Sequence, residues 1–203
     1  MDYLGFTLSA EGIRPQEKTI QAIQKIAIPQ NRKELRRFLG MINYYRDMVP
    51  NKTSLCRPLH WFTSNKVPFT WLPSDTAAFK AIQEAFAEAE LLAFPDFDKP
   101  FDVYADASGT QLGGIITQET KFLACYSWSL TKHQLNYTVT ELELLSIVEL
   151  LREYRTMLLG FPVVVHTDHK YPTETSLPVK QWKLLLAEYQ LTIQYIKGER
   201  TLV

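Results

Sequence analysis

Two stretches decide the fold: FDVYADAS at residues 101–108 and VVVHTDHK at residues 163–170, with TVTELELLSIVELL at residues 138–151 between them. Each outer stretch is a short β-branched and aromatic run ending in an acid, Asp106 or Asp168. Such runs read as strands. The middle stretch repeats apolar residues every three or four positions, which predicts a helix over residues 138–159 closed by Gly160. LGGIITQE and KFLACYSWS supply two further strands, joined by a short turn near Glu119-Thr120. VVVHTD is almost wholly β-branched, as a buried central strand would be. A helix, KQWKLLLAEY, and an alternating strand, LTIQYIKG, complete the order βββαβαβ. That order predicts an α/β layer with one mixed five-stranded sheet and flanking helices.

At about 100° per residue, Glu143 falls on the same arc as Ile147, Leu150, Leu151 and Tyr154. Glu141 falls among Arg152 and Arg155, on the solvent side. Leu142 and Leu145 fit neither arc. A carboxylate on the inward face of a helix is costly unless it is neutral, hydrogen-bonded or bound to a cation. Asp106 before Ala-Ser-Gly could simply organise a turn, and Asp168 before His169 could cap a helix. Together with Glu143, the three acids form a candidate site for hard divalent cations, which prefer oxygen ligands.

Working outward to the N-terminal side, YLGFTLSAEGI reads as a hairpin with its turn at Glu11-Gly12. Residues 15–27 read as a short helix opened by Pro15 and closed before Pro29. Asn31 and Glu34 form a capping box for the helix RKELRRFLGMINYYRDM, whose apolar stripe is Leu35, Phe38, Leu39, Ile42 and Tyr45. Another helix begins near Ser74-Asp75 and presents Phe79, Ile82 and Phe86. FPDFDKP then marks a boundary.

The bulk properties are those of a globular chain. Its 203 residues are 46% apolar and 22% charged, and no stretch is apolar enough to span a membrane or act as a signal peptide. Cys56 and Cys125 lack metal-ligand spacing and read as two buried free thiols. Net charge is zero, yet residues 14–57 hold ten basic residues against three acids, +7, leaving −7 elsewhere. That asymmetry suits a polyanion-binding arm, although a solvated helix face would look the same.

These motifs carry a resemblance. DAS at 106–108, LGGIITQ, NYTVTELELLSIV at 136–148 and VHTDHK at 165–170 resemble the ribonuclease H domain of gypsy-type LTR retrotransposon and retroviral polyproteins. YLGFTLSAEGIRP and ELRRFLGMINYYRDMVPNKTSLCRPL resemble the palm end and thumb of the same elements' reverse transcriptase. FTWLPSDTAAFKAIQEAF resembles the segment that joins thumb to nuclease. The implied organisation is a palm-end hairpin and short helix at 1–28, a thumb-like helical domain at 29–72, a joining helix and linker at 73–97, and a ribonuclease H-like domain at 98–203.

By resemblance, Asp106, Glu143 and Asp168 match three of the family's four metal-binding carboxylates. They imply two Mg²⁺ ions, with Mn²⁺ able to substitute, and hydrolysis of the RNA strand of an RNA–DNA hybrid. The fourth acid follows a G-x-x-N-x-x-A-D pattern that begins here at Gly198, with Thr201 where Asn is usual. The resemblance therefore implies a fragment of the Pol polyprotein, cut before that acid and weakened in cleavage. Arg36, Arg37 and Arg46 are implied phosphate contacts, and Gly40 a point of close backbone approach. Asn43 and Tyr44 are implied sugar contacts. Tyr3, Leu4 and Gly5 match the strand turn that holds the primer end in the family, and His133 and His169 are loop candidates for substrate contact. The implied partners are the template–primer duplex and the fingers and palm of the same polyprotein, in a cytoplasmic virus-like particle or virion. Two readings follow: an enzyme that cuts the hybrid, and a clamp that holds it without cutting.

Overall fold

The computed structural model describes residues 1–168 and 176–196, and the chain divides into two compact units, Met1–Leu92 and Ala93–Val203. In the first, β1 (Asp2–Tyr3), β2 (Phe6–Leu8) and β3 (Ile13–Pro15) form an antiparallel three-stranded sheet. The residue pattern marks one turn here, at Glu11-Gly12, and only the resemblance marks a second at residues 3–5; the chain turns at both, the second at Leu4-Gly5. Both residues of that turn take positive φ, 46° and 88°. Leucine is a poor signal for such a turn, so the pattern hid it. Pro15 ends β3 instead of opening a helix, and α1 (Glu17–Gln24) starts two residues later.

The capping box places α2 (Arg32–Tyr44): Asn31 Oδ1 accepts from the Glu34 N–H at 3.0 Å, and the Glu34 carboxylate accepts from the Gln30 N–H at 2.8 Å. Then come α3 (Lys52–His60) and α4 (Pro73–Ala87). The helices close on one another through their apolar stripes. Phe38 of α2 meets Phe79 of α4 with ring centroids 4.5 Å apart, and Tyr45 meets Phe86 at 5.2 Å. Each fully buried ring of this kind contributes roughly 2–3 kcal/mol. Gln83 of α4 donates to the Ile23 carbonyl at 2.7 Å, tying α1 to the same core.

The second unit runs β4 (Phe101–Ala107), β5 (Gln111–Gln118), β6 (Lys121–Ser129), α5 (Val139–Glu153), α6 (Arg155–Leu158), β7 (Pro162–Thr167), α7 (Leu177–Leu186) and β8 (Gln190–Tyr195). The sheet order is β6-β5-β4-β7-β8. The β4–β5 and β5–β6 pairs are antiparallel, and β4–β7 and β7–β8 are parallel. This is the mixed five-stranded sheet of a ribonuclease H-like fold, with β4 at its centre. The long helix expected over 138–159 breaks at Tyr154, where α5 gives way to α6.

Leu142 and Leu145 now have an account. Residues 142–148 are all buried, because α5 packs on β4 and β5 with one side and on α7 with another. A helix covered this widely shows no single apolar arc. Cys56 and Cys125 are both buried, and neither forms a disulfide. Among the described residues no helix is long and apolar enough to cross a membrane.

Candidate nucleic-acid interface and carboxylate site

Two cations of the basic arm, Arg36 and Arg37, lie on one exposed face of α2. Arg36, Arg37, Gly40, Asn43 and Tyr44 are all exposed, opposite buried Leu35, Phe38, Leu39 and Ile42. Gly40 lies mid-helix, and a Cβ built on it would meet nothing within 4 Å. Internal packing therefore gives no reason for glycine there. A mid-helix glycine costs about 0.5–1 kcal/mol relative to alanine.

The side chains around Gly40 differ in how firmly they are held. Arg36 donates from Nε to the Thr63 carbonyl at 3.0 Å and from a terminal nitrogen to Asn65 Oδ1 at 2.8 Å, so its guanidinium is braced across the surface. Asn43 Oδ1 accepts from Lys52 Nζ at 2.6 Å. Burial favours the neutral amine at Lys52 and lowers its pKa. Sequence gave no signal for Lys52, which reaches Asn43 from another helix. Arg37 makes no hydrogen bond or ion pair with any described residue. Arg46, in the turn after α2, pairs with Asp47 at 3.5 Å.

Tyr44 joins this face to the N-terminal turn. It is 55% exposed, and its hydroxyl donates to the Leu4 carbonyl at 2.9 Å. Tyr45 donates to the Gly5 carbonyl at 3.2 Å. Tyr3 and Leu4 are exposed beside them. Helix and turn thus present one continuous surface.

The acids occupy the second unit. In the parallel β4–β7 pair, Tyr104 stands opposite His166. Asp106 and Asp168 each lie two residues further on, at the same end of neighbouring strands, and both are half-buried. Glu143 is 4% exposed on α5, and its backbone carbonyl accepts from Ser146 Oγ at 2.7 Å. His169 lies outside the described residues, as does the segment from 197 onward.

The expected pair of Mg²⁺ ions is overturned. Among the described residues, no group of three or more His, Cys, Asp or Glu side chains is placed to hold a metal ion. Inward position on a helix and a shared strand end do not by themselves close three acids into one group. Phe101, Val103 and Ala105 are the buried face of β4, and Gly114, opposite Ala105, lies against Leu150 of α5. Alternation puts Asp102, Tyr104 and Asp106 on the other face. Glu143 is carried on α5, the helix packed against the Ala105 face.

On the Asp106 face the sequence reading missed a cluster. His166 Nε2 lies 2.8 Å from Asp102 Oδ1, and its ring stacks on Tyr104 at 4.4 Å between centroids and 10° between planes. Burial, then the Asp102 charge, raises the Tyr104 pKa. Alternation in FDVYAD and VVVHTD was the available signal. Thr138 and Glu141 were also missed as a capping box: Glu141 accepts from the Thr138 N–H at 3.0 Å and Thr138 Oγ1 accepts from the Glu141 N–H at 3.2 Å.

These features define a class: a ribonuclease H-like sheet domain preceded by a helical unit. Residues 71–165 match the model for the RNase H-like domain found in reverse transcriptase. The chain is similar to the retrovirus-related Pol polyprotein from transposon 297 of Drosophila melanogaster, 32% identical over all of this chain and 20% of the relative. It is also similar to the transposon Tf2-3 polyprotein of Schizosaccharomyces pombe, 31% identical over 97% of the chain and 16% of the relative. Its fold is similar to that of the foamy viral protease-reverse transcriptase, solved in complexes with double-stranded DNA and with RNA/DNA hybrid. The TM-score is 0.84 in both, at 24% identity, over 97% of this chain and 37% or 29% of those chains. The matches are to a fragment of retrotransposon and retroviral Pol polyproteins that contains an RNase H-like domain. It spans about a fifth of the length of the first curated relatives it matches.

Proposed function

We propose that this chain is a duplex-gripping module of a retroelement reverse transcriptase, with an RNA–DNA hybrid or template–primer duplex as ligand and with cleavage weak or absent in these residues. The observation that carries the reading is Gly40: an uncovered glycine in the middle of a helix face that also bears Arg36, Arg37, Asn43 and Tyr44. Open backbone there lets a sugar–phosphate ridge approach closely, while the arginines meet phosphates and Tyr44 lies against sugars. The turn at Tyr3 and Gly5, continuous with Tyr44, would steady the primer end, and Arg46 would extend the phosphate track. The foamy viral complexes with duplexes support the same ligand class.

Asp106 and Asp168 would face the RNA strand from their shared strand ends, with Glu143 supporting from α5. Without a three-acid metal group among the described residues, these acids have no cation through which to cut or to hold a phosphate, and the grip falls to the α2 face. The fingers and palm of the polyprotein would complete a polymerase, and the setting would be a virus-like particle inside the cell.

Hybrid binding measured by fluorescence anisotropy tests the reading. The expected result is a steep loss of affinity between low and moderate salt. Gly40→Leu should weaken binding at least tenfold while leaving the helix intact, since leucine is the better helix former. Asp106→Asn should leave affinity unchanged. Wild-type affinity in Gly40→Leu would remove the clamp from α2.

A further inference from the structure

Beside the exposed face of α2 the first unit has a concavity that shares only Arg37 with the proposed duplex surface. The segment at residues 26–30 is neither helix nor strand, and Pro29 holds the residue before it extended. It keeps α1 away from α2 and leaves a pocket of about 550 Å³. Ala22, Ile23 and Ile26 form one wall, and Phe38 and Met41 form the other. Roughly 300–1,000 Å³ is the size range of small-molecule pockets, and an apolar lining with few polar groups is their usual chemistry.

The mouth of the pocket carries one cation and one carboxylate, and only the cation has hydrogen-bonding groups left unanswered among the described residues. Arg37 lines it and has no partner among the described residues. Glu34 lines it too, one turn away, but both its oxygens are engaged in the helix cap. One accepts from the Gln30 N–H at 2.8 Å and the other from Asn31 Nδ2 at 2.7 Å. Gln30 Nε2 is turned back to the Ile28 carbonyl at 3.0 Å. An apolar hole with one unanswered guanidinium at its lip has a defined complement.

We propose that this pocket binds a small amphipathic anion: an apolar body seated between α1 and α2, with a single carboxylate on Arg37. A planar guanidinium accepts a carboxylate through two parallel N–H···O bonds, which fixes the ligand's orientation. Arg37 also belongs to the duplex-facing surface proposed above, so a ligand here competes with phosphate for one cation. The site itself stands on pocket geometry and does not need that reading.

Decanoate and decanol are suitable probes, titrated calorimetrically into the whole chain. Decanoate should bind saturably at one site, and about tenfold more weakly to Arg37→Gln. Decanol should bind weakly and be indifferent to that substitution. Ala22→Trp, which fills the pocket from an exposed helix position, should abolish decanoate binding and leave hybrid affinity at zero decanoate unchanged. Failure of decanoate to bind at millimolar concentration, equal affinity in Arg37→Gln, or binding that survives Ala22→Trp in a folded protein would each overturn the site. Loss of hybrid binding in Gly40→Leu bears on the clamp alone, so the two proposals fail separately.

Discussion

Gly114 of β5 lies directly beneath Leu150 of α5. A Cβ at residue 114 would overlap Leu150 Cδ1 and stand 2.9 Å from the Tyr104 carbonyl oxygen. Leu150 is fully buried, so it has no free direction in which to withdraw. Gly114→Ala should therefore destabilise the second unit by about 1–3 kcal/mol, the usual cost of overpacking. Leu150→Ala alone should cost about 2–5 kcal/mol. The double variant should lose less than the sum, because removing Cδ1 relieves half of the collision while the backbone oxygen remains. Urea midpoints of the three variants check this, and strict additivity would show that the contact is not what requires glycine.

The start of α5 is set by a different kind of contact. Thr138 and Glu141 satisfy one another's backbone N–H groups, and Ser176 Oγ adds a bond to Glu141 at 3.1 Å. Thr138→Ala should cost about 1 kcal/mol, as removal of a helix N-cap does. The Thr138 N–H, followed by the hydroxyl groups of Ser176 and Thr138, holds the Glu141 carboxyl below the usual glutamate range. A depressed carboxylate stabilises the fold above its unfolded pKa and loses that contribution as pH falls through the folded value. The stability gap between wild type and Glu141→Gln should thus be full at neutral pH and close below about pH 4. A gap that widened in acid would refute the assignment.

The sheet was legible because its strands alternate and its acids end them. FDVYADAS and VVVHTDHK declared β4 and β7, and Asn31 with Glu34 declared the start of α2. The break at Tyr154 was not legible, since apolar spacing continues across it through Met157 and Leu158. The Leu4-Gly5 turn was legible only through the resemblance, because leucine takes a positive φ that residue pattern assigns to glycine or asparagine. At the site, a helical wheel showed that Glu143 faces inward, and it is 4% exposed. The wheel carries no information on which face of β4 the helix covers. Nor does it carry the distance from Glu143 to the strand-end acids, and among the described residues the three do not form one ligand group.

Gly5 has a conformational and a steric reason to be glycine, and the two can be separated. Its φ of +88° disfavours any side chain, and a Cβ would lie 2.5 Å from Tyr45 Oη. Gly5→Ala should destabilise the first unit by about 1–2 kcal/mol and shift the turn that carries Tyr3. Tyr45→Phe removes the hydroxyl in the way and also the 3.2 Å bond to the Gly5 carbonyl. Combining the two should restore part of the alanine loss, leaving only backbone strain. Thermal midpoints of the single and double variants measure the split; no rescue would mean that φ alone governs the position.

Cys56 offers a pH test of the first unit's core. It is 2% exposed on α3, and burial pushes its thiol up from 9.0 to about 11, with the Lys52 charge opposing. A thiol raised on folding is held protonated in the native state, so folding is unaffected well below pH 9 and becomes less favourable as pH rises from about 9 toward 11. The thiolate is the reactive form, and little of it exists at pH 8 in the folded chain. Native protein at pH 8 should therefore resist iodoacetamide at Cys56, and urea should release the reaction. Cys56→Ala should unfold at a lower urea concentration than wild type at pH 7, since it leaves a small cavity. That deficit should shrink above pH 9, where wild type alone carries the cost of a buried thiolate. A constant deficit from pH 7 to pH 10.5 would show that the thiol ionises as easily inside the fold as outside it.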